Sequence, residues 1–408
     1  MAQTVEETGR TRRGDGRATG VVTGPATQQR QRPGRALTAD FVRVLLFTGV
    51  VVAHSVNGLN VEPDVVRSAG LVGTLLHVTR YGFVAVTLFV LVLSMRGRTM
   101  TPTQFWRRRF GLIVGPYLVW TLVYTITDHL VIQNNPFPSI DVLLRDLALS
   151  TVTGNGKYQL YFLLISMQIY LVFPLLSAIF ERTAHRPWTV IAVGFAIQGT
   201  MFVVYQYLPR PEGAAWEQVY HNMWKTLPMY ALFIAIGAMA AYHHSAMEDW
   251  LRRRAVPVTV VAVLACAVTI AAYWSATGPG DVPPSTTTPW NPTIMPWLIG
   301  SLVLLWLGAM TWDRLRASGA PVGERFVSWA TVRAFGVFAV HPLLLDAVAR
   351  AGFFGTLHSW FPGSPALRSI VLVLVVLVSS LLVVDVLLRT PVSRWFVARD
   401  RIPIGGAR

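Results

Sequence analysis

Arg43 and His54 stand eleven residues apart in the first apolar stretch of the chain, which opens Asp40-Phe41-Val42-Arg43. Eleven residues is about three helical turns, so the two side chains share a helix face, roughly 16 Å apart along the axis. Charged and titratable groups inside hydrocarbon are costly and need a reason. Arg43 can serve as a topology anchor in the headgroups, and Asp40, three residues before it, can pair with it. His54 lies deeper, beyond the bilayer midpoint and out of easy reach of the inner surface. It suits packing, or general-base work in which neutral imidazole takes a proton from a hydroxyl as that oxygen attacks a carbonyl.

A second histidine of this kind is His341, in Phe335-Gly336-Val337-Phe338-Ala339-Val340-His341-Pro342. Pro342 loosens the helical hydrogen-bond ladder beside it and can open a polar pocket. A hydrogen-bonded helix contact is the competing role. Arg333, lower on the same segment, reads as an edge anchor. The basic run Arg107-Arg108-Arg109 leads into Phe110 and then Pro116-Tyr117 and Trp120. Such a run marks an inner helix end, and arginine also grips phosphate with a planar fork. In Tyr158-Gln159-Leu160-Tyr161-Phe162, then Gln168, Tyr170 and Pro174, polar groups punctuate an apolar helix, either as glue between helices or as ligand contacts. His244 and Glu248 have one-turn spacing but fall in a connection where a solvated polar face is the simpler account, so no metal site is expected.

The elements that must hold these residues are membrane helices. Of 408 residues 53% are hydrophobic and 13% charged, and the mean hydropathy is +0.48; a soluble protein carries roughly 25% charged residues. Ten apolar segments, near 38–59, 76–95, 110–131, 158–180, 188–208, 227–243, 256–274, 293–312, 329–349 and 367–388, approach the roughly 20 residues that a span needs. The expected fold class is therefore all-α, a polytopic membrane bundle of about ten helices. Residues 1–37 are polar and without apolar period, and are expected to form a disordered cytoplasmic tail rather than a cleavable signal peptide. Residues 38–396 form the transmembrane domain and 397–408 a second tail. The net charge of +15 does not imply nucleic acid, because the arginines sit in tails and connections. Of 35 lysines and arginines, 25 fall on one side of an alternating topology and eight on the other, which puts both termini inside. The loops 132–157 and 275–292 read as solvent-facing connections. Trp106, Trp188, Trp274 and Trp312 read as an interfacial belt. The lone Cys266 excludes an intramolecular disulfide.

In this order the motifs resemble the acyltransferase 3 family of integral membrane O-acyltransferases. The first-helix signature is Asp40, Arg43 and His54; the basic motif is Arg108-Arg109-Phe110 through Trp120; the fourth-helix motif is Tyr158 to Pro174; the late motif is Phe338 to His341. With Gln168 and Tyr170 the fourth-helix motif is similar to the branch acting on surface polysaccharides. Leu112, Gln159 and Met95 replace residues common in the family's motifs. The resemblance implies an enzyme of the plasma membrane that moves an acyl group, most simply acetyl, from cytosolic acyl-CoA to a hydroxyl of an extracytoplasmic glycan or small metabolite. Acyl-CoA is then a co-substrate, with no tightly bound cofactor. It further implies that His54, His341 and Asp40 serve catalysis, that Arg43, Arg108 and Arg109 hold the donor, and that Gln159, Tyr161 and Gln168 contact the acceptor. A carrier or flippase for a glycan or lipid-linked substrate would share the ten spans and the mid-membrane polar residues.

Overall fold

The computed structural model describes residues 37–98, 100–132, 139–319 and 322–403. Its elements are helices: α1 Leu37–Leu59, α2 Val66–Leu75, α3 Val78–Met95, α4 Pro102–Thr127, α5 Ile140–Thr153, α6 Tyr161–Thr183, α7 Pro187–Tyr207 and α8 Ala214–Met223. Then follow α9 Ala231–Tyr242, α10 His244–Arg253, α11 Ala255–Ser275, α12 Met295–Ala317, α13 Glu324–Arg350, α14 Phe353–Trp360, α15 Pro365–Arg389 and α16 Ser393–Val397. Ten segments among the described residues are long and apolar enough to cross a membrane, with α2–α3 continuous as Val66–Met95 and α8–α9 as Ala214–Tyr242. Ten is even, so Leu37 and Arg389 lie at one end of the bundle, here called the base. Leu59 and Pro365 lie at the other, the top.

Local chemistry starts and stops these helices. At Thr101 the hydroxyl accepts from the Gln104 amide while Gln104 reaches back to the Thr101 amide, and Pro102 occupies the first turn. Gly154, at φ 72°, ends α5 in the left-handed region where other residues are strained. In lipid the helices meet through small residues that let backbones approach. A Cβ on Gly237 of α9 would fall 2.1 Å from the carbonyl oxygen of Ala85 on α3.

Two hydrophobic clusters fill the bundle. One gathers side chains mainly of α3, α6, α7, α9 and α12, the other mainly those of α4, α13 and α15, and α1 contributes to both. Phe41, Phe83, Phe162 and Tyr170 pack against both, so they mark a seam between the two halves.

Three expectations need correction. The 132–157 connection is not simply a solvated loop: within it α5 forms, and Ile140, Leu144 and Val152 stay exposed along it. Trp312 is not an interfacial side chain; it is buried, stacks on Phe41 at 4.9 Å and donates to the Val322 carbonyl. The chain beyond 389 is docked: Trp120 Nε1 donates to the Phe396 carbonyl at 2.8 Å, and the Ile402 amide to the Leu388 carbonyl at 2.8 Å. The expected N-terminal tail lies outside the described residues, Leu37 excepted.

Candidate active site

α1 and α13 bring the two intramembrane histidines together. His54 Nδ1 and His341 Nε2 are 2.9 Å apart. The ring planes differ by 6°, and the centroids are 5.2 Å apart, about two ring radii more than the N···N contact. The rings therefore meet edge to edge in one plane, as an in-plane N–H···N bond requires.

The backbone of α13 sets which nitrogen carries the proton. Pro342 has no N–H, so the Phe338 carbonyl lacks its usual helical donor. His341 Nδ1 fills that place, 2.9 Å from the Phe338 oxygen and 3.1 Å from that of Val337. Both neighbours only accept, so Nδ1 bears the hydrogen and Nε2 is the acceptor. His54 must then donate through Nδ1, which leaves the lone pair on His54 Nε2 as the basic site. A carbonyl-anchored histidine here fixes the tautomer and orientation of the second imidazole.

Other groups steady the same turn. Tyr124 Oη donates to the Ala339 carbonyl at 2.7 Å and accepts from the Leu343 amide at 3.3 Å, bridging a pair that an unbroken helix joins directly. Gln159 Nε2 also donates to the Ala339 carbonyl, at 3.3 Å. Tyr158 meets His54 edge-on at 4.4 Å. One turn toward the base, Phe83, Phe162 and Phe338 form an aromatic layer with centroid separations of 5.5, 5.9 and 6.3 Å, and Phe338 touches His341 at 6.4 Å.

The arginines gather at the base of the same seam. Arg43 Nη1 lies 3.4 Å from Asp40 Oδ1, and Asp40 is buried. Arg109 donates to Ser94 Oγ at 3.3 Å and sits over the rings of Phe105 and Tyr170. Arg43 and Arg109 act on each other electrostatically, and both act on Tyr170. Arg108, next to Arg109, is exposed. The cations thus lie toward the base and the histidine pair toward the top.

Not every candidate joins the histidine pair. Asp40 is fourteen residues from His54 along α1, about 21 Å at 1.5 Å per residue, so it does not reach the histidine pair. Gln168 donates to the Lys225 carbonyl at 2.9 Å, a helix-to-turn contact. Tyr161 is buried against Trp224 at 4.5 Å, under the Arg80 guanidinium at 4.8 Å. Arg333 is buried and ion-paired with Asp385, which also binds Arg389. His244 pairs with Glu248 at 3.0 Å. Among the described residues no cluster of metal-ligating side chains occurs.

Sequence reasoning missed two groups near the site. Arg80 sits between Tyr161 and Trp224, 4.8 and 4.9 Å from their rings, and its charge acts on His54. Its signal was a lone arginine near the start of the 76–95 apolar segment. Lys157 bridges Asp128 at 2.8 Å and Asp346 at 2.7 Å. Asp346 is five residues beyond His341, and Asp128 opens a π turn, Asp128–Ile132, that extends α4. Burial opposes charge on Lys157, but its bonds to the two carboxylates outweigh this and raise its pKa above the ordinary lysine value.

A family model described as an acyltransferase domain, acyltransferase 3, matches residues 38–389. The chain belongs to that family, and is a multi-pass membrane acyltransferase. No curated protein and no solved structure matches it.

Proposed function

We propose that the protein is an O-acyltransferase that carries an acyl group, most simply acetyl, from acyl-CoA to a hydroxyl reached from the top of the bundle. The reading rests above all on the His54–His341 bond, which leaves an oriented base in the upper half of the seam. His54 Nε2 takes the proton of the acceptor hydroxyl as its oxygen attacks the thioester carbonyl carbon. The C–S bond then breaks, the proton passes to the departing thiolate, and the products are an ester and free CoA. Arg43 and Arg109, with Arg108 at the rim, hold the donor's phosphates at the base, and Asp40 orients Arg43. Acyl-CoA enters as co-substrate and leaves as product.

The lysine and arginine excess supports a cytosolic base in the plasma membrane, with both termini on that side. Donor and acceptor then approach from opposite faces, the acceptor being an extracytoplasmic glycan or small metabolite. The experiment is acyl transfer from labelled acetyl-CoA in isolated membranes, with mass spectrometry of glycans and small metabolites from deletion and wild-type cells. His54→Ala should abolish ester formation while the protein stays in the membrane. Transfer retained in that variant would overturn the assignment.

A further inference from the structure

A cavity of about 400 Å³ opens at the top of the bundle, between the end of α7, the turn before α8, and Trp290 ahead of α12. None of its walls belongs to the histidine pair. Tyr205 and Tyr220 stack at 6.0 Å with planes 11° apart, and Tyr205 Oη donates to the Tyr220 carbonyl at 2.6 Å. Trp290 abuts Tyr205 at 4.8 Å and Trp224 at 5.8 Å. These contacts make a rigid aromatic floor. Trp216, 49% exposed, and Glu217 stand at the rim. The Arg210 guanidinium sits 5.8 Å from both tyrosine rings.

The mixture of groups selects a ligand class. A lipid tail gains nothing from Glu217 and Arg210, and a simple anion gains nothing from flat aromatic faces. A pyranose has both properties: an apolar C–H face that stacks on indole or phenol, and a hydroxyl edge that donates to a carboxylate and accepts from guanidinium. The volume is in the range of small-molecule sites. The cavity is also joined to the chemistry. Trp224 forms one of its walls and, on its other side, meets Tyr161 and Arg80, whose charge reaches His54.

We infer that this cavity is a sugar-binding subsite that holds one unit of an oligosaccharide acceptor while a neighbouring unit is acylated at His54. The inference rests on the acyltransferase reading for its purpose but not for its test. Purified full-length protein is titrated with maltotetraose, cellotetraose, chitotetraose and tetragalacturonate, following tryptophan fluorescence without acyl-CoA. At least one should quench wild type; Trp216→Ala should weaken it by roughly tenfold or more, Trp216→Phe should restore most of the affinity, and His54→Ala should leave it unchanged. Circular dichroism melts check that Trp216→Ala remains folded; because Trp216 lies at the rim, no loss is expected. Glu217→Gln, at the same rim, gives a second variant expected to weaken binding. No quench by any tetrasaccharide, a quench reproduced by inorganic phosphate alone, or affinity indifferent to both rim variants overturns the subsite. Retained transfer in His54→Ala membranes would instead overturn the base assignment and leave the subsite standing.

Discussion

His54 and His341 act as one unit, so their losses should not add. His341→Ala removes the acceptor that holds His54 Nδ1–H, and kcat should fall on the order of a hundredfold with the KM for acetyl-CoA little changed. The double variant should be no slower than His54→Ala alone, and steady-state kinetics of the three proteins checks this. At the base, Arg43→Lys keeps charge but loses the planar fork. It should raise the KM for acetyl-CoA by roughly tenfold with kcat retained, whereas an unchanged KM would remove Arg43 from the donor site. Arg43, His54 and His341 were legible in the sequence because each is expensive where it stands. Arg80 and Lys157 were not, because their meaning lies in partners distant in the chain: Tyr161 and Trp224 for one, Asp128 and Asp346 for the other. Spacing along a single helix cannot announce such partners.

Two helix contacts carry predictions of their own. Pro342→Ala supplies an N–H to the Phe338 carbonyl and competes with His341 Nδ1 for it. The helix should gain stability while acyl transfer slows, which thermal melts and turnover measured on one preparation will separate. Gly237→Ala places a methyl against the Ala85 carbonyl, and should cost about 1–3 kcal/mol by overpacking, seen as a lowered Tm. At the top, Glu62 bonds His358 Nε2 at 2.6 Å, tying the turn after α1 to α14. Partial burial opposes its charge, but its own amide and His358 outweigh this and hold its pKa below the usual 4.5. A depressed carboxylate stabilises the fold above its unfolded pKa and loses that contribution as pH falls through the folded value. Melts should therefore weaken below about pH 4.5 in wild type, and less steeply in Glu62→Gln. Helix positions were legible from hydropathy alone, as the match of α11 or α15 to its apolar run illustrates. α5 was not, because its exposed apolar residues lie between loop-like Pro and Asn signals and a glycine stop.

For the molecule as a whole the arrangement is directional, with the arginine run at the base and the histidine pair and the aromatic-lined cavity toward the top. In a Cys266→Ala background, Glu212→Cys should react with a membrane-impermeant maleimide on intact cells, and Arg252→Cys only after lysis; the reverse pattern would invert the donor and acceptor faces. Phe41, Phe83, Phe162 and Tyr170 pack against both hydrophobic clusters, and α1 contributes buried side chains to each. A substitution that loosens either cluster therefore loosens the helix that carries both Arg43 and His54.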